Sequence, residues 1–106
     1  MNNIHKLVAL LTIRIIAKFH VQPEKAQEFL GLCKKIIDET IKEDGCIEYG
    51  LYQDLQNPEI LTFLEEWRDE SSIDEHMKSK HFTEIFPLFS ECLVKEAEVG
   101  LYKKKL

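Results

Sequence analysis

Apolar residues recur along this chain with two different periods, and the switches between them mark out a β-α-β-β-α-β order. From about Leu11 to Val21 the period is two. Ile13, Ile15, Ala17 and Phe19 share one face, with Arg14, Ile16, Lys18 and His20 on the other, as in a half-buried strand. Gln22-Pro23-Glu24 follows; proline suits the first turn of a helix and glutamate complements its positive end. Phe29, Leu30, Cys33, Ile36, Ile37, Thr40 and Ile41 then repeat at helical spacing. They predict a helix to about Asp44, ended by Gly45 as a left-handed C′ residue. Strand character returns in Cys46–Gln53 and Ile60–Trp67, joined by a hairpin loop containing Asn57-Pro58. Ser71 or Ser72 is expected to cap a second helix, Ser72 forming a capping box with Glu75. That helix carries Ile73, His76 and Met77 on one face. A third carries Phe82, Ile85, Phe86, Phe89 and Leu93, with Pro87 inside the pattern, so it begins late or kinks. A last strand lies near Val99 to Lys103.

This order implies an α+β fold: an antiparallel four-stranded sheet with helices on one face. Strand two places Ile47, Tyr49 and Leu51 opposite Cys46, Gly50 and Tyr52. Strand three places Leu61, Phe63 and Trp67 opposite Ile60, Thr62 and Leu64. Helices cover only one face, and a solvated back should alternate with polar residues. Two apolar faces therefore predict a second copy of the sheet on the open side, a two-fold homodimer.

Length and composition narrow the class. The 106 residues make one domain, 1–106, with 1–10 a leader or an extension of strand one. At 44% hydrophobic and 31% charged residues, neither disorder nor membrane spanning is expected. A net charge of −5 argues against nucleic acid, since the only basic run is Lys103 to Lys105. Leu7 to Ile13 is apolar apart from Thr12 and sits behind Lys6, a trace of a signal peptide. No small-x-small cleavage site follows, and the pattern runs on past Arg14, so a strand with a short leader is the reading. Cys33, Cys46 and Cys92 are odd in number and widely spaced, the usage of reduced thiols in a cytoplasmic protein.

Three segments carry a resemblance. They are Glu43-Asp-Gly-Cys-Ile-Glu-Tyr-Gly-Leu-Tyr-Gln-Asp54, Leu61-Thr-Phe-Leu-Glu-Glu-Trp-Arg-Asp69 and Asp74-Glu-His-Met-Lys-Ser-Lys-His-Phe82. A glycine turn, a tyrosine-bearing strand, a glutamate-tryptophan strand end and two histidines five apart come in that order. From about Ile13 to the C-terminus the chain resembles the antibiotic biosynthesis monooxygenase superfamily, most closely its quinol monooxygenase-like members. The resemblance implies a ferredoxin-like protomer in a dimeric α+β barrel. It also implies oxidation of a quinol or small electron-rich aromatic with molecular oxygen, without flavin, haem or metal. Other members degrade haem, isomerise small signals or have no assigned reaction, so a non-oxygenase binding, isomerising or detoxifying dimer is the alternative. The haem-degrading pattern needs an asparagine on the first strand and a histidine ligand on the later helix. Phe19 and Phe86 stand there, against haem degradation.

Cofactor-free oxygenation needs a base near neutral pKa, donors for the substrate anion and a dry apolar pocket. His76 is the candidate base, set against an ordinary core-edge histidine. Glu65 shares an apolar strand face with Phe63 and Trp67, where a carboxylate must be paired or protonated. Its expected partner is a histidine, or Arg68 or Arg14 at a sheet edge. Trp67, the only tryptophan, offers an aromatic wall and an indole donor, with Phe19 as a second wall. Tyr49, Phe63 and Met77 are expected to line the same pocket. His81 is expected to orient substrate or to sit at a helix C-terminus. His20 and His5 read as exposed. No metal is expected, because His76 and His81 are not i,i+3 or i,i+4 neighbours on a helix. No cofactor motif is present.

Overall fold

The alternating run at the start of the pattern forms strand β1, Ile13–His20, with Ile13, Ile15, Ala17 and Phe19 buried. The computed structural model describes residues 11–106; the expected leader, and His5 within it, lie outside the described residues. After β1 a single 3-10 turn, Pro23–Lys25, leads into α1, Ala26–Thr40. β2, Cys46–Gln53, and β3, Ile60–Trp67, follow. Then come α2, Glu70–Lys78, α3, Lys80–Phe89, a 3-10 turn at Ser90–Cys92, and β4, Glu98–Lys103. The strands pair antiparallel in the order β2-β3-β1-β4, with helices against one face, which is the ferredoxin-like α+β arrangement expected. β1 and β3 take the centre, and both alternate buried with partly exposed residues.

The core is aromatic. Phe19, Phe29, Phe63 and Phe89 meet at ring separations of 5.0 to 6.2 Å. Each buried ring of this kind contributes about 1.5–3 kcal/mol of transfer free energy.

Several local expectations are corrected, each for a physical reason. α1 ends at Thr40, short of Asp44, and turns carry the chain to β2. Gly45 is not a left-handed cap, since no described residue has a positive φ. It is small because a Cβ there would collide with the Ser72 side chain at the start of α2. Asp69, rather than Ser71 or Ser72, caps α2 by accepting from the Ser72 backbone N–H at 2.8 Å. α3 begins at Lys80, well before Pro87, because Ser79 caps it; Leu93 lies beyond its end. Val21 leaves the β1 ladder and forms an isolated bridge with Leu93.

One correction alters a face. In β2, Cys46 pairs with Trp67 and Glu48 with Glu66, leaving Ile47 as the extra residue of a β-bulge. The bulge moves Cys46 onto the inward face with Tyr49 and Leu51 and leaves Ile47 53% exposed, opposite to simple alternation. Register also defines the open face. Gly50, Leu64, Ile16 and Gly100 form one row across all four strands. Arg14 lies beside that row, paired to Glu48 and Glu66, and His20 contacts Glu98.

Candidate functional site

The site forms where a helix breaks. Ser79 has an extended ψ of 154° and serves both as the last cap of α2 and the first cap of α3. Its hydroxyl donates to the His76 carbonyl at 2.6 Å and accepts from the Phe82 backbone N–H at 3.3 Å. His76 and His81 straddle this break, so spacing along a continuous helix does not describe them. Their rings come within 5.9 Å. Both reach the same atom: Nδ1 of His76 and Nε2 of His81 each lie 2.7 Å from Oε2 of Glu43. Glu43 stands in the turn after α1, where its backbone N–H bonds the Thr40 carbonyl.

His76 is 3% exposed. Its ring packs on Trp67 at 4.6 Å, Phe82 at 4.9 Å and Tyr49 at 5.4 Å. Burial lowers its pKa most; the Glu43 hydrogen bond and charge oppose this, and His81 adds a smaller lowering. The imidazole is thereby kept neutral near pH 7. A carboxylate only accepts, so Nδ1 carries the proton and Nε2 the lone pair. Among the described residues only Nδ1 of this ring is hydrogen-bonded. The arrangement orients the tautomer and leaves the Nε2 lone pair, the atom a general base would use.

Glu65 lies on the inward face of β3 and is 7% exposed. It does not meet a histidine. The Trp67 indole N–H donates to its Oε1 at 2.8 Å, so that N–H is not free for a substrate. Since β3 is an interior strand, Glu65 is not at an edge either. Arg14 goes to Glu48 and Glu66, and Arg68 to Asp44 and Asp69. Burial pushes the Glu65 carboxyl up to about 7, against the opposing indole hydrogen bond. Tyr49, opposite Glu65 in the sheet, has its hydroxyl pushed up by burial and then by Glu65. Glu65 and the neutral His76 imidazole thus lie in one aromatic interior.

The remaining expected residues divide. Tyr49, Phe63 and Trp67 form a buried aromatic run, Tyr49–Phe63 at 5.1 Å and Tyr49–Trp67 at 6.1 Å. Tyr52 faces the other way and is exposed, as expected. Phe19 does not share a wall with Trp67. It pairs with Leu61, while Trp67 pairs with Ile13, placing the two about 20 Å apart along the strands. It lies instead among Phe29, Phe63 and Phe89. Met77 is 52% exposed and lines an open groove of about 380 Å³ with Ile13, Ile73 and Leu101, at the Trp67 end of the sheet. His81 is the second residue of α3 and hence at an N-terminus, not a C-terminus. Glu43 was not singled out by sequence reasoning. Its one signal was its position two residues before Gly45, in a turn that closes on α2.

The antibiotic biosynthesis monooxygenase family model matches residues 12–87. The chain belongs to that family. The crystal structure of a conserved protein from Methanosarcina mazei is 61% identical, with a TM-score of 0.92 over 94% of this chain and 99% of that one. The Mycobacterium tuberculosis protein named "Putative monooxygenase Rv0793" is 30% identical over 82% of this chain and 85% of its own length. Its structure superposes with a TM-score of 0.84. An uncharacterized Synechocystis protein, sll1783, is 32% identical over 86% of this chain, which spans 62% of that relative's length. Among the described residues no helix is long and apolar enough to cross a membrane.

Proposed function

We propose that this family member is a cofactor-independent monooxygenase that oxidises a quinol or another small electron-rich aromatic with molecular oxygen, acting as a cytoplasmic homodimer. The observation that carries the reading is the buried His76, its Nδ1 held by Glu43 and its ring packed on Trp67 and Tyr49. Family membership and a relative named as a monooxygenase support the reaction class.

For a hydroquinone the balance is one ring plus O2 giving a hydroxyquinone plus water, so the substrate itself supplies every electron. Nε2 of His76 takes the phenolic proton. The electron-rich anion reduces oxygen, the reduced oxygen bonds to a ring carbon, and the O–O bond breaks as water leaves. The His76 imidazolium returns the phenolic proton to the departing oxygen, and Glu65, its carboxyl raised to about 7 by burial, holds a second exchangeable proton against the Trp67 indole. Tyr49, Phe63 and Trp67 exclude water from the anion. The groove beside Met77 and Ile73, on the helix that carries His76, has room for one ring, though His76 itself does not line it. Phe19 supports the fold at the far end, and His81 secures Glu43. The open sheet face, with Ile16 and Leu64 at its centre, is where the second protomer sits. Three cysteines outside any disulfide fit a reducing compartment.

The test is oxygen uptake by the purified chain with a hydroquinone panel and no added cofactor, beside His76→Ala. Uptake above autoxidation that disappears in the variant is expected. Equal uptake in both chains removes His76 from the reaction; none in either removes the oxygenase reading.

A further inference from the structure

The convergence of Glu43, His76 and His81 offers more than an oriented base. One carboxylate oxygen and two imidazole nitrogens, from three separate segments, lie within 4.8 Å of one another. The two contacts to Glu43 are 2.7 Å. Metal–ligand bonds of about 2.0–2.1 Å put neighbouring donors of a tetrahedral set about 3.3–3.4 Å apart. The three atoms therefore bracket the spacing that an ion between them requires, and side-chain shifts of about 1 Å at each donor would reach it.

We propose that Glu43, His76 and His81 form a site for a divalent first-row transition ion, with Nδ1 of His76, Nε2 of His81 and one Glu43 oxygen as ligands. A two-nitrogen, one-oxygen donor set suits zinc, iron, nickel or copper rather than calcium or magnesium. Three protein ligands leave at least one position for water or substrate. Glu43 and His81 are each partly exposed, which supplies an entry path, while His76 is buried and anchors the floor. The Ser79 hydroxyl, which donates to the His76 carbonyl, lies 3.2 Å from Nε2 of His81, a contact that ligation would replace.

To ligate through Nδ1, the His76 imidazole must carry its proton on Nε2 instead. Ligation through Nδ1 thus leaves Nε2 of His76 protonated, a donor and no longer a base. The inference goes beyond the oxygenase reading: an occupied site would silence cofactor-free proton abstraction by His76, so metal and base chemistry exclude each other at this ring.

The experiment is zinc titration of the metal-free full chain by calorimetry, repeated with cobalt for its visible absorption. Wild type is expected to bind one ion per chain. Loss of an outer-sphere partner alone typically weakens a metal site about 10–100-fold, so loss of a direct ligand in His81→Gln or Glu43→Gln should cost at least about tenfold. His20→Gln, which removes a histidine away from the cluster, should bind as wild type. His81→Gln retains an amide to donate to Glu43 and leaves His76 packed, so it remains informative if Glu43→Gln folds poorly. No saturable zinc binding, or binding unchanged in His81→Gln, would overturn the proposal. Zinc affinity is read without turnover. Absence of oxygen uptake would sink the oxygenase reading alone, and absence of zinc binding would sink this one alone.

Discussion

Glu65→Gln is the substitution whose consequence the structure specifies most fully. Glu65 is 7% exposed, and its hydrogen-bond partner is the Trp67 indole N–H at 2.8 Å. Tyr49 and Cys46 face it from β2, and neither supplies a positive charge; burial pushes both groups up, Cys46 to about 11, so both stay protonated at neutral pH. Among the described residues no positive charge balances the carboxylate, and burial raises its pKa from 4.5 to about 7. Below pH 4.5 the group is protonated whether the chain is folded or not, and its contribution to stability is intact. Between 4.5 and about 7 the unfolded chain releases a proton that the folded chain retains, so stability falls as pH rises. Above about 7 the loss levels off. The span from 4.5 to about 7 corresponds to about 3 kcal/mol.

Glutamine keeps an acceptor for the indole and removes the charge. Urea unfolding of both chains from pH 5 to 8.5 should show near parity at the acid end. At pH 8 the variant should be the more stable, by as much as about 3 kcal/mol. Contributions from His76, which run with the opposite sign, are common to both chains and cancel in the difference. Trp67 is the only tryptophan, so native-state emission should show a transition near pH 7 in wild type that the variant lacks, any change from His76, 4.6 Å from the indole, being common to both. Parallel stability curves, or a variant less stable at pH 8, would refute the reasoning.

Three further outcomes follow from the packing. Gly45→Ala drives a Cβ into the Ser72 side chain and should lower unfolding free energy by about 1–3 kcal/mol, with Ser72→Gly restoring much of it in the double variant. Leu64→Glu places a charge at the centre of the open sheet face and should shift sedimentation of the proposed dimer to monomer; an unchanged sedimentation coefficient would rule this face out as the interface. Phe19→Leu should cost about 1 kcal/mol or more in stability while leaving turnover per folded chain unchanged, since the ring lies at the far end of the sheet from His76.

What the sequence revealed follows from where periodicity is strict. β1 and β3 were legible to within a residue or two because both are central strands, and burial on one face enforces the alternation of Ile13 to Phe19 and of Leu61 to Trp67. β2 was legible in extent but misread at its start. A bulge adds one residue and reverses every face before it, and nothing in Cys46-Ile47-Glu48 announces one. The helix starts were misplaced by choice of cap. Asp69 and Ser72 both have the chemistry, and the distance from Asp69 to the Ser72 N–H decides it. Gly45 shows the same limit: a glycine after a helix reads as a left-handed cap, yet here it makes room for a neighbour that is distant in sequence.

The site follows the same division between local and long-range information. His76 was found because its helix face is periodic, and Trp67 because its strand alternates. Glu43 was missed because the contact that gives it meaning spans 33 residues to His76 and 38 to His81. Sequence reasoning offered Glu65, the carboxylate sharing a face with Trp67, as a partner for a histidine, or for Arg68 or Arg14 at a sheet edge. The fold assigns the histidine partnership to a turn residue brought in by close packing of the 43–45 segment on α2. The two carboxylates consequently do different work: Glu43 fixes a tautomer, and Glu65, held by an indole in an apolar interior, is left to titrate near neutrality. The expectation of no metal rested on helix spacing, which does not describe this pair. Spacing rules for helices hold only while the helix continues, and Ser79 ends one helix and starts another between the two histidines. Their convergence on one oxygen is a product of that break.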